Sequence, residues 1–267
     1  MAYRNDPAEL TASIESAHRT AYPHEVFVVD NSPDTLLEGI ARQAGAVYIK
    51  TPANLGFGAA NNIVLRQAVH RSSFCLVLNP DISFGENVLD PLIEFLGSNP
   101  EIGLAMPRIL YPSGMDQGLC KLLPSPLDLI ARRFLGPVGT MLLKERNRRY
   151  EMKNLDLTVP REVPSLSGCF MFMRTDVLRE AGLFDEEFFM YMEDIDLCRR
   201  IGRYSRTAFY PLVSVNHGYA KGSYRNRKLL YYHLRSAIKY FSKWAWFFDR
   251  ERKEINRRTS VIDQSHI

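Results

Sequence analysis

Two periods of apolar spacing alternate along the first hundred residues. From Pro7 to Ala17 the apolar positions Leu10, Ile14 and Ala17 recur at helical spacing, with Asp6 placed to cap a helix that has Pro7 at its first position. Val26–Val29 is a short β-branched and aromatic run that ends in Asp30-Asn31-Ser32-Pro33, which reads as a buried strand entering a loop. The alternation then repeats, with a helix over Leu36–Ala44, a strand over Val47–Ile49, a helix over Asn61–Val69 and a strand over Phe74–Leu78 that runs into Asn79-Pro80-Asp81. This order predicts an α/β fold whose mostly parallel sheet is flanked by helices on both faces. In such sheets ligands gather beyond the carboxyl ends of the strands, where both polar clusters fall.

After Pro100 the pattern changes. Residues 107–164 carry many prolines, the basic residues Arg132, Arg133, Lys144, Arg146, Arg148 and Arg149, and an amphipathic stretch around Leu127–Leu135, and they read as an inserted variable region within a catalytic domain spanning 1–220. Order returns with an apolar strand at Ser167–Met173 and a helix at Asp176–Ala181. An acidic patch from Asp185 to Asp196 follows, then a helix through Arg200 and a strand over Ala208–Val215. The opening is the exception. Only Met1-Ala2-Tyr3 precede the Arg4-Asn5-Asp6 turn, enough for roughly 10 Å of strand. The first strand is therefore expected to be truncated, leaving unpaired edges inside the sheet.

At 267 residues and 46% hydrophobic, the chain can bury one substantial core. That size excludes a small disulfide scaffold, and its four cysteines, Cys75, Cys120, Cys169 and Cys198, lie far apart with no C-x-x-C pair, so they suggest neither a zinc site nor a redox motif and read as reduced thiols in the cytoplasm. No signal peptide and no apolar run of about 18 residues is present, so the chain is not expected to cross a membrane by itself. Charge is divided unevenly. From Lys221 onward twelve basic residues face four acidic ones, whereas residues 1–220 hold 22 basic and 26 acidic. The segment 221–267 is thus a basic amphipathic helical tail, rich in Tyr, Trp and Phe, that suits an anionic membrane surface and equally suits docking of its aromatic face on the domain.

Four segments can carry chemistry. Asp30 ends a strand and can accept from a pyrimidine imide N–H, although alone it also reads as a turn residue. The loop Asn54-Leu55-Gly56-Phe57-Gly58-Ala59-Ala60-Asn61-Asn62 allows close backbone approach and opens a helix whose amino end favours an anion, yet it lacks the third glycine of a dinucleotide fingerprint. Asp81 stands at a strand end, where one carboxylate can hold a hard cation together with a diphosphate, or simply close an Asn-Pro-Asp turn. Glu193 and Asp194 are adjacent carboxylates beside apolar Met and Tyr, the setting that raises a pKa for a general base. Asp196 reads instead as a helix-start acid that pairs with Arg200 on the helix surface. His217, past the last strand, is either a metal ligand or structural.

In this order the segments resemble the family 2 glycosyltransferases of the GT-A fold, most closely their bacterial rhamnosyltransferase branch. The resemblance runs from Tyr3 to about Ser223 and is carried by the Asn54–Asn62 loop, Leu78-Asn79-Pro80-Asp81, Ser167-Gly168-Cys169-Phe170 and Phe189-Met190-Tyr191-Met192-Glu193-Asp194-Ile195-Asp196-Leu197. It implies an inverting, metal-dependent transfer of a sugar, L-rhamnose from dTDP-rhamnose first, from a nucleotide-diphosphate donor to a glycan or polyprenyl-linked acceptor in cell-surface polysaccharide assembly. Tyr3, Asp30, Asn54, Gly56, Asn61, Asn79 and Asp81 would line the donor site. Asp81 and His217 would hold Mg²⁺ or Mn²⁺, Asp194 would be the base with Glu193 beside it, and Gly168 would lie on the acceptor side. Asn79 departs from the first Asp of the family's D-x-D-type motif. A galactofuranose, mannose or glucose donor is the alternative within the class, and an inactive nucleotide-sugar-binding scaffold the alternative outside it. The expected setting is the cytoplasm, peripheral to the inner membrane face, with no nucleic-acid partner.

Overall fold

A computed structural model describes residues 1–129, 144–218 and 227–262; most of the amphipathic stretch Leu127–Leu135, with Arg132 and Arg133, lies outside them. Local chemistry starts the fold. Helix α1 spans Pro7–Ala17, and the Asp6 carboxylate caps it by accepting from the backbone N–H groups of Ala8 and Glu9 at 2.8 and 3.3 Å. Then follow β1 (Phe27–Asp30), α2 (Leu36–Gln43), β2 (Val47–Lys50), α3 (Phe57–Arg71) and β3 (Phe74–Leu78). The expected alternation is present. Helix α3 begins four residues before the predicted Asn61, because Gly56, at φ +87°, turns the chain straight into it.

The remaining elements are β4 (Ile82–Ser83), α4 (Leu89–Ser98), β5 (Ile102–Leu110), α5 (Lys144–Tyr150), β6 (Arg161–Glu162), β7 (Phe170–Arg174), α6 (Thr175–Ala181), α7 (Glu193–Ile201), β8 (Arg206–His217), α8 (Arg227–Lys243) and α9 (Arg250–Ile262). Strands β1 and β2 pair in parallel, and six strands form the main sheet in the order β3-β7-β5-β8-β4 with β6 on β8. Within it β5 and β8 are parallel, but β7 runs antiparallel to both β3 and β5. The α/β architecture is as expected, with β3, β5 and β8 running the same way and β7 reversed between β3 and β5. The reason is physical. Phe170–Met173 is buried throughout, and a strand covered on both faces has the same apolar run in either direction.

One large core lies between the main sheet and α4, α6 and α7, and a smaller one joins Ala2, Leu10, Ile14, Val28, Leu37 and Ala41 under α1 and α2. Of the opening strand, Ala2 alone pairs with β1, donating its N–H to Val29 O at 2.8 Å and accepting from Asn31 N at 2.9 Å. Beyond it, between β1 and β3, lies a cavity of about 820 Å³ lined by Leu10, Ile14, Val28, Val64, Leu76 and Phe172 among others. The tail closes the other side: Tyr240 and Phe241 of α8, with Trp244 just past its end, pack onto Phe188 and Met192, and Asn256 of α9 exchanges two hydrogen bonds with the backbone of Leu123. Among the described residues no helix is long and apolar enough to cross a membrane.

Candidate active site

At the carboxyl end of β1, Asp30 is fully buried. Its carboxylate accepts from Ser32 N at 2.8 Å and from the Tyr48 hydroxyl at 2.7 Å, and burial together with that carboxylate pushes the Tyr48 phenol above its ordinary range. Asn31 joins this strand end to the following loop: its side chain accepts from Thr51 Oγ1 and Leu55 N, and donates to Gly56 O at 3.1 Å. The Asn54 side chain accepts from Gly56 N. Gly56 has no room for a side chain, since a Cβ there would stand 2.2 Å from Phe189 O, the same oxygen that accepts from Phe57 N at 2.9 Å. Tyr3 is exposed one residue beyond the Ala2 pairing. Tyr3, Asp30, Asn54 and Gly56 thus gather at one strand end, whereas Asn61 turns back to donate to Phe57 O on its own helix.

Pairing of β4 with β8 sets Ile82 opposite His217 and brings Asp81 to the histidine, with Asp81 Oδ1 and His217 Nε2 3.4 Å apart. On its other side His217 Nδ1 meets Gln117 Oε1 at 3.0 Å, the kind of outer contact that fixes a ligand's ring orientation. Glu9 of α1 approaches the same place. Burial and the Asp81 charge raise its carboxyl above the ordinary value. Among the described residues no three His, Cys, Asp or Glu side chains converge as a metal cage. Asp81 and His217 fit a cation that takes its other ligands from a diphosphate rather than one held by protein alone.

The approach to α7 is strained. Tyr191 and Met192 both take left-handed backbone conformations, φ +69° and +70°, at roughly 1–2 kcal/mol each. Their turn delivers Glu193 and Asp194 into a buried position. Asp194 accepts from Gly168 N at 2.9 Å and from Ile195 N at 2.8 Å, and a Cβ on Gly168 would lie 3.2 Å from the Asp194 Cβ. The Glu193 Oε2 atom is buried with no hydrogen-bond partner among the described residues. Burial raises both carboxyls above the carboxylate range, the charge of Asp194 raises Glu193 further, and the Gly168 and Ile195 N–H groups, then the Lys121 charge, draw Asp194 part of the way back. Raised pKa values of this origin, in a pair, mark a candidate proton acceptor.

One dipeptide connects the cation side to the acid side. Gly168 N donates to Asp194, and Cys169 O accepts from Asn79 N at 2.9 Å. The Cys169 thiol, pushed up to about 12 mainly by burial, also senses the charges of both Asp81 and Asp194. Two carboxylates 113 positions apart in the sequence therefore flank one short segment.

The model of Glycosyl transferase family 2 matches residues 1–182. The chain belongs to this family. Among the relatives of this glycosyltransferase are the N-acetylglucosaminyl-diphospho-decaprenol L-rhamnosyltransferase of Mycobacterium tuberculosis strain H37Rv, 28% identical over 78% of this chain and 70% of that one, and the rhamnosyltransferase WbbL of Escherichia coli K12, 30% identical over 82% and 83%. They place it on the rhamnosyltransferase-like branch. The crystal structure of GalNAc-T7 with UDP, GalNAc and Mn²⁺ superposes with a TM-score of 0.55 at 16% identity over 91% of this chain, which shows the shared GT-A fold. This chain spans 45% of that protein's length.

In this family member the tail docks its aromatic face on the domain, one of the two readings that the sequence left open, and it does so at the acid turn, which the sequence did not name. Asp196 does pair with Arg200, at 2.8 Å, but not on the surface: it is fully buried and also accepts from Trp244 Nε1 and Lys243 Nζ, each at 2.8 Å. Ser236 donates to Met190 O at 2.8 Å, Tyr191 stacks on His233 with ring centroids 5.0 Å apart, and Phe189 meets Tyr232 at 4.5 Å. Deeper in, Arg199 is 1% exposed, binds both oxygens of Asp249 at 2.6 Å and lies 4.1 Å from the Trp244 ring centre. The alternation of Lys or Arg with aromatics over 224–258 was the available signal, and among the described residues Lys239, Tyr240, Phe241, Lys243 and Trp244 turn inward.

Proposed function

We propose that this glycosyltransferase transfers a sugar with inversion from a nucleotide-diphosphate donor, dTDP-L-rhamnose first, to an acceptor hydroxyl in cell-surface polysaccharide or lipid-linked glycan assembly at the inner membrane face. The observation that carries the reading is the Gly168-Cys169 segment, with Asp194 bonded to one residue and the strand end of Asp81 bonded to the other. Two rhamnosyltransferase relatives support the choice of sugar. The name of the mycobacterial one also supports a polyprenyl-diphosphate acceptor. Residues 1–220 form the catalytic unit, with 107–164 as its variable insertion and 221–267 as the tail.

In this reading Tyr3 and Asp30 border the nucleoside, and Asp30 uses a remaining lone pair for a base N–H. The loop from Asn54 through Asn61 and the Asn79 strand end border the diphosphate. Asp81 and His217 hold a divalent cation, Mg²⁺ or Mn²⁺, and the Mn²⁺ in GalNAc-T7 supports such a site in this fold. When bound, the cation neutralises charge on the leaving diphosphate. Asp194 removes the proton from the acceptor hydroxyl as its oxygen bonds the anomeric carbon and the bond to the diphosphate oxygen breaks on the opposite face. One displacement inverts the configuration. Glu193, protonated beside it, keeps negative charge off the neighbouring position, and Gly168 N orients the base from the acceptor side.

A donor panel tests this. With dTDP-rhamnose and Mg²⁺ or Mn²⁺, nucleoside diphosphate is released and a lipid-linked acceptor becomes glycosylated, and EDTA stops both. Turnover with a galactofuranose, mannose or glucose nucleotide instead reassigns the sugar. Donor binding without turnover anywhere on the panel makes the protein a nucleotide-sugar-binding scaffold.

A further inference from the structure

Helix α8 has two faces with opposite commitments. On the inner face Ser236, Tyr240 and Phe241 are buried against the turn that delivers Asp194, and Lys239 and Lys243 reach inward to Glu187, Asp185 and Asp196. On the outer face Tyr231, Leu234 and Ile238 are 59%, 41% and 56% exposed. Their spacing of three and four aligns them as one apolar stripe. Past the helix, Phe247 and Phe248 add exposure of 56% and 86%. Arg227 continues the stripe at one end, while Lys228 and Arg235 run along its flank, all three exposed. The helix holds five basic residues and no acidic one.

We propose that this outer face of α8 rests at the headgroup–acyl boundary of an anionic lipid bilayer. The inference deepens the membrane-face part of the proposed function by naming the surface that makes the contact. An exposed apolar stripe with a basic flank is matched by a bilayer that offers apolar depth under negative charge. A second copy of the chain is a poorer match, because stripe-to-stripe pairing would set Arg227, Lys228 and Arg235 against their own kind with no acid on the helix to offset them. The inner face is keyed to Met190, Tyr191 and Asp196, so a membrane under the outer face would lie at a set distance from Asp194. That arrangement favours an acceptor whose hydroxyl is carried close to the membrane plane, as on a polyprenyl-linked sugar.

The experiment is co-sedimentation of the full chain with vesicles of phosphatidylcholine alone or mixed with phosphatidylglycerol, without donor or acceptor, so that its outcome is separate from that of the transfer assay. The protein is expected to pellet with the mixed vesicles, to be released as salt rises, and to stay in solution with phosphatidylcholine alone. A Leu234→Glu/Ile238→Glu variant should partition at least ~10-fold less, and Arg235→Glu several-fold less, as expected when apolar burial and single charges each add to interfacial binding. Both variants should keep the wild-type melting temperature and donor turnover, since neither site touches the catalytic turn. Equal binding to both vesicle types, no binding to either, or unchanged partition of the double variant would overturn the proposal. So would a dimer in sedimentation velocity that Ile238→Glu converts to monomer, because the stripe would then belong to a second copy.

Discussion

The two ends of the site are built on different principles. At the donor end, the β1 terminus and the Thr51–Gly56 loop are joined by neutral hydrogen bonds through Asn31, Thr51 and Asn54, around a glycine that a Cβ would exclude. At the acid end, charges are buried and balanced by residues forty or more positions downstream, as in Trp244 and Lys243 on Asp196 and Asp249 on Arg199. The donor end is shaped by main chain and neutral side chains around the Asp30 carboxylate, which is fixed by bonds from Ser32 and Tyr48. The acid end keeps a carboxylate under strain and out of water, and a clamp from outside the first two hundred residues holds it there. Removing a partner should therefore cost the two ends differently, chiefly structure at the first and turnover at the second.

The widest separation is expected from Asp194→Asn. The amide preserves the shape but accepts no proton, so kcat should fall by ~10²–10⁴-fold, the range of a lost general base, while donor affinity measured by calorimetry stays within a few-fold. Near-normal transfer would remove Asp194 from the mechanism. Gly56→Ala should act the other way round. Its backbone lies in a region open almost only to glycine, at roughly 1–3 kcal/mol for another residue, and the added methyl meets the Phe189 carbonyl. A melting temperature lowered by several degrees and weakened donor binding are expected, and an unchanged melting curve would show that the loop and the 189 backbone are not in contact.

Trp244→Phe tests the clamp at smaller scale. Asp196 would lose one of three donors, and Arg199 and Arg203 would lose an indole face, a change of roughly 1–3 kcal/mol. Because Trp244 touches the acid side only, kcat should drop by several-fold with the donor KM nearly unchanged. An equal rise in KM would mean that the tail also shapes the donor end.

The same contrast explains what could be read from the residues alone. The α1 cap, the glycine loop and the strand ends at Asp30 and Asp81 are local statements, each made by residues within a few positions of one another. Asp6 two residues ahead of Ala8, or Asn54 two ahead of Gly56, needs no knowledge of the rest of the chain. The direction of β7 was not legible, because its partners Phe74–Leu78 and Leu104–Ala105 are distant and its apolar run is symmetric. Nor was the burial of Asp196. Its i, i+4 arginine is the usual mark of an exposed helix face, and only the folding of Trp244 and Lys243 over it turns the same pair into an interior one. Asn31 was visible as part of a polar cluster, but its role as the splice between strand and loop depends on where Gly56 comes to rest.

The smallest expected effect is also the most discriminating for the acid end. Glu193 is buried beside Asp194, and its carboxyl is held well above the ordinary range by burial and by that neighbour. A carboxyl whose folded pKa is raised favours the native state while protonated, below about pH 4.5, and withdraws that contribution as pH climbs through its folded value. Glu193→Gln removes the proton equilibrium but keeps the shape. The variant should thus melt like wild type near pH 4 and at a higher temperature than wild type near pH 8. Glu193 is still protonated where Asp194 titrates, so the neutral glutamine should leave the pKa of the remaining base nearly unchanged. The acid limb of the kcat–pH profile, expected above the usual carboxylate value of about 4 in wild type, should stay in place in the variant, and the plateau should change little. A melting difference that is the same at both pH values, or an acid limb that moves down, would mean that Glu193 is already ionised beside the base in the native state.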